Sequence, residues 1–261
     1  KMMLEDFALP WLEEKPTAKK IISEHYQFTD RRRHGMPGNL DKKQTLLENL
    51  KRNKIKGNPG VHDFTDADLR YRVPDVHYER STNAVVYFLR DVSGSMTTDK
   101  KFIAKAVCFW MVRFLRLKYK SAEVVFIAHD TEAEIVNEAD FFGKSEGGGT
   151  RCSSAYTVAL HHMIQYYPTS LFNIYLWHFS DGDNEYADNV VCKGRIEDIL
   201  RECTMVGYGE IKWANSALAP SNLLHALKDI THPRFLTTIL RTKDDVHAAL
   251  KAFLGAEIGV V

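Results

Sequence analysis

Residues 84–96 read Ala84-Val85-Val86-Tyr87-Phe88-Leu89-Arg90-Asp91-Val92-Ser93-Gly94-Ser95-Met96. The first six are β-branched, aromatic or otherwise apolar, without the alternation of a strand that has one wet face. Such a run predicts a buried strand of a parallel sheet covered on both sides. The strand delivers Asp91, Ser93 and Ser95 at alternate positions onto the turn at its C-terminal end, and Gly94 lets the backbone turn tightly between the serines. One carboxylate and two hydroxyls are hard oxygen donors. They suit Mg²⁺, Mn²⁺ or Ca²⁺ and suit zinc or copper poorly.

Outward from this stretch, the chain repeats the pattern. Asn173 to Phe179 is a second buried-strand candidate and ends in Ser180-Asp181-Gly182-Asp183. Between the two lies Gly147-Gly148-Gly149-Thr150, a hydroxyl after three glycines, just before an apolar helix. Residues 84–258 alternate strand and helix throughout. Helices are expected at Lys100–Lys118, Ser153–Tyr167, Asn189–Cys203, Ser221–Ile230 and Thr242–Leu254, with Ser221 and Thr242 as caps. Strands are expected at Glu123–His129, Met205–Ile211 and Phe235–Arg241, with an edge hairpin strand within Thr131–Asn137. This is the pattern of an α/β fold with a doubly wound, mostly parallel sheet. In such sheets ligands bind outside the C-terminal strand ends, where Asp91, Thr150 and Asp181 all fall.

Residues 1–83 read differently, as a basic, partly helical N-terminal extension. Met2 to Leu12 is expected to form a short amphipathic helix interrupted by Pro10. From Lys15 to Lys56 there are twelve Lys and Arg against four Asp and Glu, in a chain whose net charge is only +1. Leu46, Leu47 and Leu50 mark a thin apolar stripe on one helix there. The charge excess is either a solvated face or a footprint for an acidic partner or nucleic acid. Aromatic residues are sparse in this stretch, so no base-stacking platform is evident and nucleic acid is the less favoured partner.

The chain has 261 residues, 44% hydrophobic and 26% charged, enough for one α/β core with an appendage. No apolar run approaches the ~18 residues of a membrane span. Cys108, Cys152, Cys192 and Cys203 form no C-x-x-C pair and no zinc-finger spacing, so core or incidental thiols in a reducing, cytoplasmic compartment are expected. Lys1 is not a natural start, and the true N-terminus is expected upstream. Gly143-Lys144-Ser145 lacks the earlier glycine and following helix of a phosphate-binding loop. Asp183 reads as a rim acid. His129 and His178, at strand ends near the expected ion, read as core or edge histidines, with rim residues of the site as the alternative. Neither Ser93 nor Ser95 has a general base in its sequence context, so no catalytic residue is assigned.

The ordered set Asp91-x-Ser93-x-Ser95, then Thr150, then Asp181 resembles the metal-ion-dependent adhesion site of von Willebrand factor A domains. A longer resemblance runs through Glu5–Leu12, Thr45–Lys51, Asp68–Tyr71, Phe109–Tyr119, Val125–Ala133, Asp140–Gly143, Asn173–Asn184 and Val206–Glu210. By these stretches the chain is similar to the bacterial YhbH/YeaH family. The resemblance implies a cytoplasmic von Willebrand factor A domain over residues 84–258, with no established catalytic activity and connected with stress response or sporulation. Its metal ligands would be Asp91, Ser93, Ser95, Thr150 and Asp181, on Mg²⁺ or alternatively Mn²⁺ or Ca²⁺. The function implied is a metal-dependent protein-interaction module gripping a partner's Asp or Glu. The nominated partners are a PrkA-type AAA+ serine kinase and a SpoVR-like protein. The alternatives are a metal-dependent hydrolase such as a phosphatase, or nucleic-acid binding through the basic segment.

Overall fold

The structure is a computed structural model. It describes residues 7–13, 15, 26–32, 34, 35, 37–76, 83–119, 122–143, 147–212 and 221–255. Residues 2–6, Arg33 and the Lys144-Ser145 pair, on which readings above fall, lie outside the described residues. The chain divides into two units, residues 19–80 and residues 1–18 with 81–261.

In the smaller unit, β1 (Tyr26–Arg32) pairs antiparallel with β2 (Tyr71–Val76). The helix α1 (Lys42–Ile55) is N-capped by Asp41, whose carboxylate accepts from the Gln44 amide at 3.2 Å. The expected apolar stripe is not its buried face. Leu46, Leu47 and Leu50 are 42%, 39% and 39% exposed, whereas Thr45, Asn49 and Asn53 are buried. Asn49 and Asn53 face inward because an irregular loop with unpaired backbone groups must be held there. Asn49 Nδ2 donates to the His62 carbonyl at 2.9 Å and its Oδ1 accepts from the His62 amide at 3.1 Å. Asn53 Nδ2 donates to Gly60 O at 2.9 Å. Asp68 is buried beside them and accepts from Arg52 Nε at 2.8 Å and Asn49 Nδ2 at 3.1 Å. The Arg52 guanidinium holds the Asp68 carboxyl well below the usual carboxylate range.

The larger unit is built on β3 (Ala84–Asp91), α2 (Thr98–Lys118), β4 (Glu123–His129), β5 (Ala133–Val136), α3 (Glu138–Gly143) and α4 (Cys152–Tyr166). It continues through β6 (Asn173–Ser180), α5 (Asp188–Glu202), β7 (Met205–Ile211), α6 (Asn222–Leu227), β8 (Phe235–Leu240) and α7 (Asp245–Leu254). The strand order is β5-β4-β3-β6-β7-β8, parallel except for the edge hairpin β4–β5. The fold is therefore the doubly wound α/β sheet that the sequence predicts. All eight residues of β3 are buried, because it is a central strand with helices on both faces. Val86 and Phe88 pack with Ile103, Val107, Met111, Phe114 and α7 on one side. Val85, Tyr87 and Leu89 pack with Tyr156, Ile196 and Leu224 on the other. Ser221 caps α6 as expected, accepting from the Leu224 amide at 3.0 Å. Thr242 does not cap α7; the carboxylate of Asp245 takes the Arg241 and Thr242 amides instead, both at 2.8 Å.

Residues 7–13 correct the boundary expected at 83. They form no helix and belong to the α/β unit as an extended strap. Phe7 and Leu9 bury in its core, Phe7 edge-on to Phe114. Each such burial contributes about 1.5–3 kcal/mol. Polar contacts fix the path: Ala8 N to Leu254 O at 2.9 Å, Leu9 N to Tyr119 Oη at 3.0 Å, and Tyr175 Oη to Pro10 O at 2.9 Å. Asn173 closes the far end, donating to Glu13 O at 2.8 Å and accepting from Glu13 N at 3.1 Å.

Candidate functional site

The central strand β3 ends at Asp91, opposite His129 of β4 and one step beyond the Arg90–Phe179 pair with β6. The Asp91 carboxylate is fully buried. Its Oδ1 accepts from the Ser93 amide at 2.8 Å, which folds the chain back, and its Oδ2 accepts from Ser180 Oγ at 2.6 Å. Val92 N donates to His129 O at 2.9 Å and ties the turn to β4. Ser93 Oγ and Ser95 Oγ lie 3.1 Å apart, and Ser95 Oγ donates to Asp181 Oδ1 at 3.3 Å. The sheet thus brings together Asp91, Ser93, Ser95 and Asp181.

Thr150 sits half-buried on the neighbouring loop, and its side chain joins none of these hydrogen bonds. The loop lies over the turn, with Gly94 N donating to Gly148 O at 3.1 Å. A Cβ on Gly148 would come within 2.7 Å of Asp130 Oδ2, so a larger residue there would displace either the loop or Asp130.

Two further residues belong to the site. Lys100, in the first turn of α2, donates to Asp181 Oδ2 at 2.7 Å and to Ser95 O at 3.0 Å. Ser180 fixes Asp91 as described. Each is adjacent to a predicted ligand, Ser180 in sequence and Lys100 one helical turn past Ser95, but neither is part of the D-x-S-x-S spacing. Asp183 is exposed at the rim, its amide on Asp181 Oδ1 at 3.1 Å. The donor set fits a small hard cation. Adjacent oxygens of an octahedral Mg²⁺ shell, with bonds of ~2.1 Å, lie about 3.0 Å apart. The two separations in the Ser93–Ser95–Asp181 chain, 3.1 and 3.3 Å, are close to that spacing. Two carboxylates against one ammonium leave the cluster with one net negative charge.

Beneath Asp91 lies a second buried group on the same sheet face. His129 Nε2 and His178 Nε2 are 2.7 Å apart, and His178 Nδ1 is 2.6 Å from Tyr156 Oη. Both imidazoles are buried, which pushes each below the ordinary histidine range; His178 is also pushed down by His129. Cys152 opens α4 beside them, its thiol pushed well up by burial. All four cysteines are free and buried. The sequence puts both histidines at strand ends but carries no sign of their contact. Their common strand parity was the available signal.

The hydroxyls of Ser93 and Ser95 bond to each other and to Asp181, and neither is on an imidazole.

Residues 53–257 match the family described as "Protein of unknown function (DUF444)". A UPF0229 protein of Halalkalibacterium halodurans is 40% identical over 256 residues, 98% of this chain and 65% of that protein. A UPF0229 protein of Shouchella clausii is 42% identical over 252 residues, 97% of this chain and 64% of that protein. The chain thus spans a little under two thirds of these curated relatives. Among solved structures, the PilB minor pilin of Streptococcus sanguinis aligns with a TM-score of 0.52 at 12% identity, over 75% of this chain and 64% of that one. The pilus adhesin SpaC of Lactobacillus rhamnosus GG aligns with a TM-score of 0.50 at 11% identity, over 65% of this chain and 29% of that one. These two share the fold alone. No helix among the described residues is long and apolar enough to cross a membrane. With most of its length matched by the family and its relatives alike, the chain belongs to the DUF444 family and is similar to UPF0229 proteins of bacteria.

Proposed function

We propose that the larger unit is a von Willebrand factor A domain of the YhbH/YeaH kind, acting as a divalent-ion-dependent protein-interaction module. The observation that carries this reading is the oxygen chain Ser93–Ser95–Asp181, spaced as neighbouring ligands, with buried Asp91 behind it. Ser93, Ser95 and Thr150 would offer hydroxyls to Mg²⁺, Mn²⁺ or Ca²⁺. Asp91 and Asp181 would supply negative charge directly or through water. A bound divalent ion would supply a Lewis-acidic position for one further anionic oxygen.

Lys100 tunes this site. Its ammonium on Asp181 offsets one carboxylate. With a divalent ion added, the cluster carries one net positive charge, which a partner's Asp or Glu neutralises. Lys100 therefore weakens the hold on the ion and strengthens the pull on the partner. Tyr186 and Val190, 84% and 77% exposed just after the Asp181 loop, offer apolar contact at the rim. The PrkA-type AAA+ serine kinase and the SpoVR-like protein, in a cytoplasmic stress or sporulation response, are the partners to test first.

Calorimetry with Mg²⁺ and Mn²⁺ on the wild type and on an Asp91→Ala, Asp181→Ala double variant tests the ion site. Binding should be lost in the variant. Equal binding by both proteins, or a partner complex that survives EDTA at full affinity, sinks the reading.

A further inference from the structure

We infer that His129, His178 and Cys152 form a second, buried metal site, for a borderline transition ion of the zinc class. It is chemically distinct from the oxygen cluster above it. Three elements converge there: the C-terminal ends of β4 and β6, and the first residue of α4. One ligand atom from each residue lies within 4.8 Å of the other two. Two imidazoles and a thiol are poor ligands for Mg²⁺ or Ca²⁺ and good ones for zinc, at about 2.0–2.1 Å for nitrogen and 2.3 Å for sulfur. In a tetrahedral shell two such nitrogens stand about 3.3 Å apart. The imidazoles, now 2.7 Å apart, would part by a few tenths of an ångström each.

The surroundings are those of a ligand set. His178 Nδ1 lies 2.6 Å from the Tyr156 hydroxyl. Donating Nδ1–H to Tyr156 Oη leaves the Nε2 lone pair aimed at His129, the tautomer a metal needs, with its outer hydrogen bond in place. A single proton, on His129 Nε2, then lies between the two rings. His129 Nδ1 is buried without a hydrogen-bond partner among the described residues, so nothing at that atom opposes the other tautomer once the ion takes Nε2. On metal binding that proton moves to Nδ1, the Cys152 thiol releases its proton to solvent, and one proton leaves overall. A divalent ion with one thiolate carries one positive charge. Asp91, opposite His129 in the sheet register, is a carboxylate shared between this charge and the oxygen cluster above it. Cys152 directly follows the loop 147–151.

The test uses the full chain, purified without a histidine tag after growth with added zinc. Elemental analysis should find about one zinc per chain. Cobalt(II) loading of the same protein should produce a thiolate-to-cobalt charge-transfer band. Cys152→Ser and His178→Gln should each lose at least about tenfold of the metal content, while Asp181→Asn keeps it, which separates this site from the oxygen cluster. Zinc should raise the Tm of the wild type and not of Cys152→Ser. A folded wild type that takes up less than about a tenth of an equivalent of zinc and shows no cobalt–thiolate band overturns the inference, even if the variants fail to fold. So does full zinc content in Cys152→Ser.

Discussion

The two units of this chain are held together by opposite means. The α/β unit closes on apolar side chains: Trp177, Tyr87, Phe88 and Phe179 are all fully buried around the central strands. In the smaller unit α1 turns its leucines outward and its asparagines inward, and Asn49, Asn53, Arg52 and Asp68 knit the loop 58–68 to the helix. The difference teaches where directional bonds replace the hydrophobic effect. A unit too small to bury much apolar area gains a unique structure from a fully satisfied polar network.

The largest effect should come from breaking the apolar side of this comparison. Trp177→Ala removes a fully buried indole between Phe88 and Tyr175 and should cost about 3–5 kcal/mol, read as a lowered urea midpoint of the α/β unit. An unchanged midpoint would mean that this core is less tightly packed than its burial implies. Next comes the polar side. Asn49→Leu adds apolar volume at a buried position yet leaves the His62 amide without its partner and the His62 carbonyl with Asn53 alone. It should destabilise the smaller unit by about 1–3 kcal/mol, seen as lost hydrogen-exchange protection at His62.

Asp68 adds a pH dependence confined to the smaller unit. Its carboxyl, ordinarily at 3.8 when free, is held lower in the folded state, chiefly by Arg52. A depressed folded value gives stability that is complete above the unfolded value and is lost as pH falls toward the folded one. Protection of the Thr65 amide, which donates to Asp68 Oδ2 at 2.9 Å, should therefore fall as pH drops below about 4, and Asp68→Asn should flatten that dependence. Arg52 is 20% exposed, so solvent screening keeps the effect modest. Smallest of all should be Leu50→Gln, within about 0.5 kcal/mol, because the leucine already faces water. A large loss there would mean that α1 is covered by something in solution.

The same contrast explains what was legible in the sequence. The β3 stretch announced itself because a strand buried on both faces must be apolar at every position, and the turn after it had to carry the site residues. Asp91, Ser93 and Ser95 lie together for that reason, and Asp181 joins them from the end of β6. The buried face of α1 was not legible, since Asn49 and Asn53 look like solvent-facing residues until the loop they hold is known. The His129–His178 contact is formed across an intervening strand, between residues 49 apart in sequence. Period-two patterning tells which face of the sheet each occupies, not that the rings meet. The strap was hidden because Phe7 and Leu9 fit a helix as well as an extended segment that borrows its partners from distant strands.

That strap has a consequence in time. Its polar anchors at Asn173 and Tyr175 lie 160 and 165 residues further along the chain. At 5–20 residues per second, a ribosome makes them roughly 8–30 s after the strap itself. Phe114 and Tyr119 reach Phe7 and Leu9 earlier, but the strap's far end stays unanchored for that interval. Residues made early in this unit are among the last to be placed, so strap docking reports that the sheet has been completed.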